Sequence, residues 1–348
     1  EVPVRPFELN DYSKNEPTSF EFEYEEEGIW YCYGFSATRK CICEEHLYWA
    51  PKGQKSVVVD RKYQDFSFPV NGDKKIKAVA PNQLFFAVSC TMNYEPCIEA
   101  MKWFRTKLFF SRDYSDLGKN LLEYSDDSEM LKSVASIAKI ADIGISDMKF
   151  EIDNKAITSL DDLPEDFPME SRLQIEKALS QFKESLSGDA DNVNGTIQYN
   201  ELKAISFHTG IDSQGKKTEY PLSLSDESDG TIRLMARATA LESALKNGGI
   251  LVIDEIEDRL HPMLVEYIIK RFQHNNETKA QLIFTTHSVD IMNREMLRRD
   301  QYYLVDKNSE TGVSELYSIS DFSVRNDEKV GKAYLLGKYG AVPYIREE

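Results

Sequence analysis

Apolar residues at every second position dominate the start of the chain. Phe20, Phe22 and Tyr24 alternate with Glu21, Glu23 and Glu25, and Ile29, Tyr31, Tyr33 and Phe35 keep that period beyond Glu26-Glu27-Gly28. A period of two marks a strand with one buried and one wet face, so residues 19–70 are predicted as antiparallel β structure turning near Gly28. His46–Ala50 and Lys55–Val59 add two strands around Pro51-Lys52-Gly53. The glutamates are the solvated face of this sheet. From about Pro81 to Gly188 the spacing becomes helical. Ile98, Met101, Trp103, Phe104, Leu108 and Phe109 form one stripe, and Met130, Leu131, Val134, Ile137, Ala138 and Ala141 another. A third helix is predicted over Met169–Leu186, after the turn-rich Asp161–Pro164 and Phe167-Pro168. Aromatic stripes at helical spacing are read as core.

Strands return at Thr196. Ile197–Thr209 and Lys217–Leu222 read as a hairpin closed by Gly210–Gly215. Beyond it helix and strand alternate, which predicts a mostly parallel α/β sheet. A helix carrying Leu234, Met235, Ala238, Leu241 and Leu245 stops at Gly248-Gly249. Strand Ile250–Ile253, helix Pro262–Phe272, strand Gln281–Thr285, a short helix near Val289–Leu297 and strand Tyr302–Val305 follow. The pattern divides the chain at 1–80, 81–190 and 191–348, with no internal repeat.

Composition narrows the class. With 41% hydrophobic and 29% charged residues over 348 positions, the chain has the make-up of an ordinary globular protein with a sizeable core. No apolar run approaches the roughly 20 residues of a membrane span, and no signal peptide opens the chain. The net charge of −17 argues against wide, nonspecific wrapping of nucleic acid, which rests on many Lys/Arg–phosphate contacts, but leaves room for a local basic groove. Of the five cysteines, Cys41-Ile42-Cys43 has the wrong spacing for a zinc knuckle. Free thiols in a cytoplasmic protein are the reading adopted.

Chemistry gathers between Leu224 and Ser288. The strand Ile250–Ile253 ends in Asp254 and Glu255. Ligands in open α/β sheets lie off the carboxyl ends of strands, so both acids are aimed at a cleft. Nucleotide hydrolysis needs one carboxylate to hold Mg²⁺ and a second to position or deprotonate the attacking water; Asp254 suits the first role and Glu255 the second. Taken alone, the pair is equally a strand end running into an acidic loop. Ser228-Asp229-Gly230 precedes a helix, where free backbone N–H groups attract anions and where a plain helix cap uses the same residues. His287 follows an apolar strand at a place where an imidazole could touch a γ-phosphate, although strand-end histidines are more often structural. His261 is as well placed to start a helix as to act. Gly210–Lys217 comes near the phosphate-loop pattern but has Lys217 where Ser or Thr must hold Mg²⁺, and Pro221 follows, so it is a hairpin turn.

In this order the motifs resemble those of ABC-type ATPases of the overcoming-lysogenization-defect (OLD-like) and abortive-infection class, relatives of SMC and DNA-repair ATPases. Leu224–Arg233 looks like the signature motif, Ile250–Glu255 matches Walker B, Ile256–Pro262 resembles the D-loop segment, and Thr285–Ser288 matches the switch histidine. Arg298–Asp300, Tyr303–Val305, Ser314–Ser318 and Gly337–Pro343 extend the likeness over nearly the whole chain. The fold implied is an α/β P-loop NTPase of ABC type with a mostly parallel sheet. Residues 1–80 would be its antiparallel β part, 81–190 an inserted helical arm, and 191–348 the lobe carrying signature, Walker B and switch histidine.

The resemblance implies ATP and Mg²⁺ as cofactors and a homodimer or higher even oligomer that closes on ATP. Asp254 would hold the metal, Glu255 and His287 would be catalytic, and Ser228 and Gly230 would reach the partner's γ-phosphate in trans. Asp229, Arg233, Glu257 and Asp258 would line the nucleotide. Many members are bacterial anti-phage ATPases governing a separately encoded effector such as a nuclease. Asp229 departs from the usual Ser-Gly-Gly turn. No Walker A lies between Glu1 and Glu348, and the expectation is that it belongs to a segment N-terminal to Glu1. Two other readings are an SMC or DNA-repair ATPase acting directly on DNA, which the acidic insert without heptads disfavours, and a nucleotide-sensing scaffold without turnover, which Asp254-Glu255 disfavours.

Overall fold

The alternating segment folds as a five-stranded antiparallel sheet. A computed structural model describes residues 1–68, 79–111, 117–141, 144–157, 172, 175–177, 197–293, 295–323 and 328–343. Strands β1 (Thr18–Glu26), β2 (Ile29–Ala37), β3 (Ile42–Trp49), β4 (Ser56–Lys62) and β5 (Asp65–Ser67) lie in chain order. Glu27 and Gly28 both have positive φ, 51° and 75°, the backbone a tight two-residue hairpin turn requires. In β1–β2, Phe20 lies opposite Phe35, Phe22 opposite Tyr33 and Tyr24 opposite Tyr31. This aromatic face packs on α1 (Phe85–Thr91) and α2 (Glu95–Thr106). Tyr24 stacks on Trp103 at 4.6 Å and donates to the Ala100 carbonyl at 2.9 Å.

Two compact units divide the chain. One comprises Glu1–Phe109, Ala244–Val252 and Ile269–Glu348, the other Phe110–Ser243 and Ile253–Ile268. In the first, Leu108 and Phe109 belong to strand β6 (Leu108–Ser111) and not to the helical stripe expected. Pairing overrides local spacing here, because the Ile250 N–H donates to Lys107 O at 2.6 Å.

The second unit holds α3 (Leu117–Glu123), α4 (Ser128–Ala141) and the antiparallel strands β7 (Ile145–Ile157), β8 (Ile197–Ile211) and β9 (Lys217–Ser223). Its core joins Leu121, Val134 and Ala138 to Met148, Ala204 and Met235. Strand β7 falls in the range expected to be helical. A register shift between Ile145 and Asp147 breaks the alternation, so buried Ile145 and Met148 stand three apart and mimic a helical spacing. The segment Gly210–Lys217 is the hairpin turn expected: Asp212 N–H donates to Lys216 O and Gly215 takes φ +79°. Of the helix expected over 169–186, positions 172 and 175–177 are described and helical, and the rest lies outside the described residues.

Next come α5 (Asp229–Asn247), β10 (Ile250–Ile253), α6 (Pro262–His274), β11 (Gln281–Phe284), β12 (Tyr303–Lys307), β13 (Ser314–Ser318) and α7 (Val330–Leu335). Helix α5 ends as its glycines require: Gly248 has φ +62° and the Gly249 N–H returns to Ala244 O at 3.0 Å. Strands β11, β10 and β6 form one sheet in that order, and β12 pairs antiparallel with β13. Most of the described sheet is therefore antiparallel, against the mostly parallel expectation; the connections within β1–β5, β8–β9 and β12–β13 are too short for a parallel crossover. Val289–Ile291 is a single 3₁₀ turn and not the longer helix expected. Among the described residues, no helix is long and apolar enough to cross a membrane.

Candidate functional site

Buried Leu251 and Ile253 anchor β10, and the chain then turns outward so that Asp254 and Glu255 are exposed. The turn is made by backbone that side chains rarely adopt. Glu255 and Arg259 have φ of 48° and 55°, two left-handed non-glycine residues within five positions. Such conformations cost about 1–3 kcal/mol each and persist only where surrounding contacts hold them. Asp258 N–H donates to Glu255 O and Leu260 N–H to Glu257 O, both at 2.8 Å, and Ile256 and Leu260 plug the loop into the core.

Those contacts come from α5. Ser228 caps the helix, its Oγ accepting from Thr231 N–H at 3.2 Å. Gly230 is required by approach: a Cβ there would lie 3.1 Å from Arg259 O. Asp229 pairs with Arg259, and Arg233 pairs with Asp258 at 2.5 Å. One turn along α5, buried Arg237 donates to Asp258 O and Glu255 O, both at 3.1 Å. Burial lowers the pKa of its guanidinium, with Asp258 opposing. Two motifs that are some twenty residues apart in sequence are thus one cross-braced structure. Asp229–Arg259 is exposed and screened, so its role is local: it sets a cation against the carboxylate that replaces glycine.

A second brace reaches the loop from β8. Glu227, immediately before Ser228, takes hydrogen bonds from Ser206 and from His208, the latter at 2.7 Å, and its side chain is only 3% exposed. Sequence reasoning missed Arg237, Glu227 and His208. Only Arg237 left a local trace, as the second arginine of an i, i+4 pair with Arg233 on one helix face.

The structure brings Ser228, Asp229, Gly230, Arg233, Asp254, Glu255, Glu257 and Asp258 into one unit, and places His287 in the other. His287 is exposed beyond β11, in a turn where Ser288 N–H donates to Thr286 Oγ. His261 starts α6, with its carbonyl accepting from Leu264 N–H at 2.8 Å. Two outward carboxylates after a buried strand are a hard oxygen set suited to Mg²⁺, and a serine-capped helix start with a glycine in its first turn suits an anion. The residues present fit a magnesium–nucleotide pair on these two counts.

The class of protein, a nucleoside-triphosphatase domain, follows from comparison with known families. Residues 2–293 match the family described as AAA domain, putative AbiEii toxin, Type IV TA system. The chain belongs to that family and is an AAA-family ATPase domain, which bears out the resemblance to the abortive-infection class. Among solved structures it is similar to the Smc head domain with a coiled coil and joint derived from Pyrococcus yayanosii, at 13% identity and TM-score 0.32, over 63% of this chain and 31% of that one. It is also similar to the SmcHead bound to the C-winged helix domain of ScpA, at 11% identity and TM-score 0.36, over 86% and 73% of the two chains. The chain therefore spans about a third of the first of these structures. No curated protein matches it.

Proposed function

We propose that this chain is the signature-bearing part of an ABC-type ATPase that dimerises on ATP and governs a separately encoded effector, such as a nuclease, in bacterial anti-phage defence. The observation that carries the reading is the brace between the start of α5 and the loop after β10, made by Arg233, Arg237 and Asp258. In such a machine a signature that contacts one nucleotide must be mechanically tied to the carboxylates that act on another. The brace supplies that tie.

Asp254 is assigned to the metal and Glu255 to the attacking water, with His287 as the residue that senses the γ-phosphate. Ser228 and Gly230 are assigned to the partner subunit's nucleotide, and Asp229, Arg233, Glu257 and Asp258 to the nucleotide-facing loops. When bound, Mg²⁺ would neutralise charge on the phosphate oxygens. The left-handed backbone at Glu255, whose carbonyl Arg237 holds, supports this assignment, since phosphoryl transfer depends on groups positioned in advance. The net charge of −17 favours this reading over an SMC-type ATPase acting directly on DNA. A cytoplasmic location belongs to the same proposal, and the five free thiols support it.

The test is Glu255→Gln in the complete protein. Removing a general base costs roughly 10²–10⁴-fold in turnover while leaving binding intact. The variant should accumulate an ATP-bound dimer, read by light scattering after gel filtration. Wild-type turnover without an accumulated dimer would remove Glu255 from its assigned role.

A further inference from the structure

On the wet face of the first sheet three potential ligands converge. Glu21 of β1 lies directly opposite Gly34 of β2, and Gly34 lies opposite His46 of β3. Cys32 sits two residues before Gly34 and so shares its face. Among the described residues, this is the one group of three or more His, Cys, Asp or Glu whose ligand atoms all come within 4.8 Å of one another. Cys32 Sγ is 3.9 Å from His46 Nε2, and Glu21 Oε2 is 3.4 Å from the same nitrogen. Tetrahedral zinc with bonds of about 2.0–2.3 Å needs ligand atoms roughly 3.3–3.8 Å apart, so these side chains close on an ion with shifts of at most about an ångström.

Two further observations separate this cluster from a chance meeting of polar groups. The first is Gly34. A Cβ at that position would stand 2.5 Å from His46 Cε1 and 2.7 Å from Nε2, so the ring lies where only glycine leaves room. Tyr48 stacks on it at 4.9 Å and fixes its plane. The second is that thiol and carboxylate converge on one ring nitrogen. A single nitrogen carries at most one proton and cannot give both partners a full hydrogen bond, whereas a cation among the three serves all of them. The thiol is 4% exposed, sheltered at the base of the group.

We propose that Cys32, His46 and Glu21 bind a zinc ion that ties β1, β2 and β3 together. Thiolate and imidazole select zinc over Mg²⁺ or Ca²⁺, which take oxygen ligands. Three protein ligands leave a fourth position on the open face of the sheet, which water fills. Glu23, opposite Cys32, and Asp60, opposite His46, are further carboxylates in register.

The experiment uses the full chain, stripped of metal and titrated with Co²⁺ and then Zn²⁺. The expected result is one equivalent of Co²⁺ giving a thiolate charge-transfer band and intense tetrahedral visible bands, both displaced by Zn²⁺. Cys32→Ser and His46→Ala should each lower affinity by more than the roughly 10–100-fold lost with a supporting second-shell group. Gly34→Ala should weaken binding while leaving all three ligands in the chain, because its Cβ displaces the His46 ring, and Cys90→Ser should not change it. A cobalt spectrum without the thiolate band, or full binding by Cys32→Ser, overturns the proposal. Should the variants misfold, alkylation of the wild-type chain decides: zinc must protect Cys32, and equal labelling of Cys32 with and without zinc overturns the site.

Discussion

The first unit holds an ion pair that water does not reach. Glu45 and Arg61 both have fully buried side chains, with Oε2 and Nη1 3.2 Å apart. Leu84 provides no side-chain cap for α1, and Glu45 takes over from the sheet, accepting from Phe85 N–H at 2.7 Å and Phe86 N–H at 2.9 Å. Arg61 in turn donates to Gln83 O and Tyr63 O. Burial pushes the Glu45 carboxyl up, while the two amides and the guanidinium hold it down. A pair of this kind adds little over a well-packed apolar pair, yet losing one partner strands the other. Arg61→Met should therefore cost about 3–5 kcal/mol, and adding Glu45→Gln should restore part of it. Urea unfolding of the single and double variants reads both; a single-variant loss below about 1 kcal/mol would mean that the carboxylate finds water or a proton instead.

At the scale of elements, the loop entering α5 is held from outside the helix. Glu227→Ala would leave His208 without its acceptor, leave the Ser206 hydroxyl only Leu222 O, and free the turn that presents Ser228. Faster amide exchange at Thr231 and Ile232, with α4 unchanged, is the expected outcome; unchanged exchange at Thr231 would show that the Ser228 cap suffices alone. The same loop shows what was legible in the sequence. Contiguous motifs such as Ser228–Gly230 and Asp254-Glu255 could be named because helix caps and strand ends are local events, and β1, β2 and α4 because their periods run unbroken. Strand β7 was hidden by its bulge, and Leu108 by a sheet partner more than a hundred residues away. Arg237 left only the trace of its spacing from Arg233, and the row Glu21–Gly34–His46 exists only once register is known, since no spacing along the chain encodes which residues face each other across strands.

The whole molecule distributes its buried ionisable groups unevenly. Burial holds Cys97 and Tyr302 to pKa values of about 12, and also raises Tyr24 and Tyr33; all four lie in the first unit. The Tyr302 hydroxyl is enclosed, donating to Ile291 O and Asn293 O, and Cys97 is fully buried beneath the aromatic face. In the unfolded chain a thiol ionises near pH 8.5 and a phenol near pH 10. The folded values are raised, so the folded state keeps protons that the unfolded state releases. The stability these groups contribute is complete below about pH 8.5 and is lost progressively as pH climbs towards 12. Trp30, Trp49 and Trp103 all belong to this unit, so tryptophan fluorescence follows its unfolding alone. The urea midpoint by fluorescence should fall steadily above about pH 9, at high fixed salt that screens the repulsion of a −17 chain. Cys97→Ala should start from a lower midpoint, because it leaves a cavity, but decline less between about pH 9 and 10, because the thiol titration is gone. A midpoint that stays level from about pH 8 to 11, or a variant whose decline is as steep as that of the wild type, would mean that these groups ionise in place and that the aromatic core opens to water without unfolding.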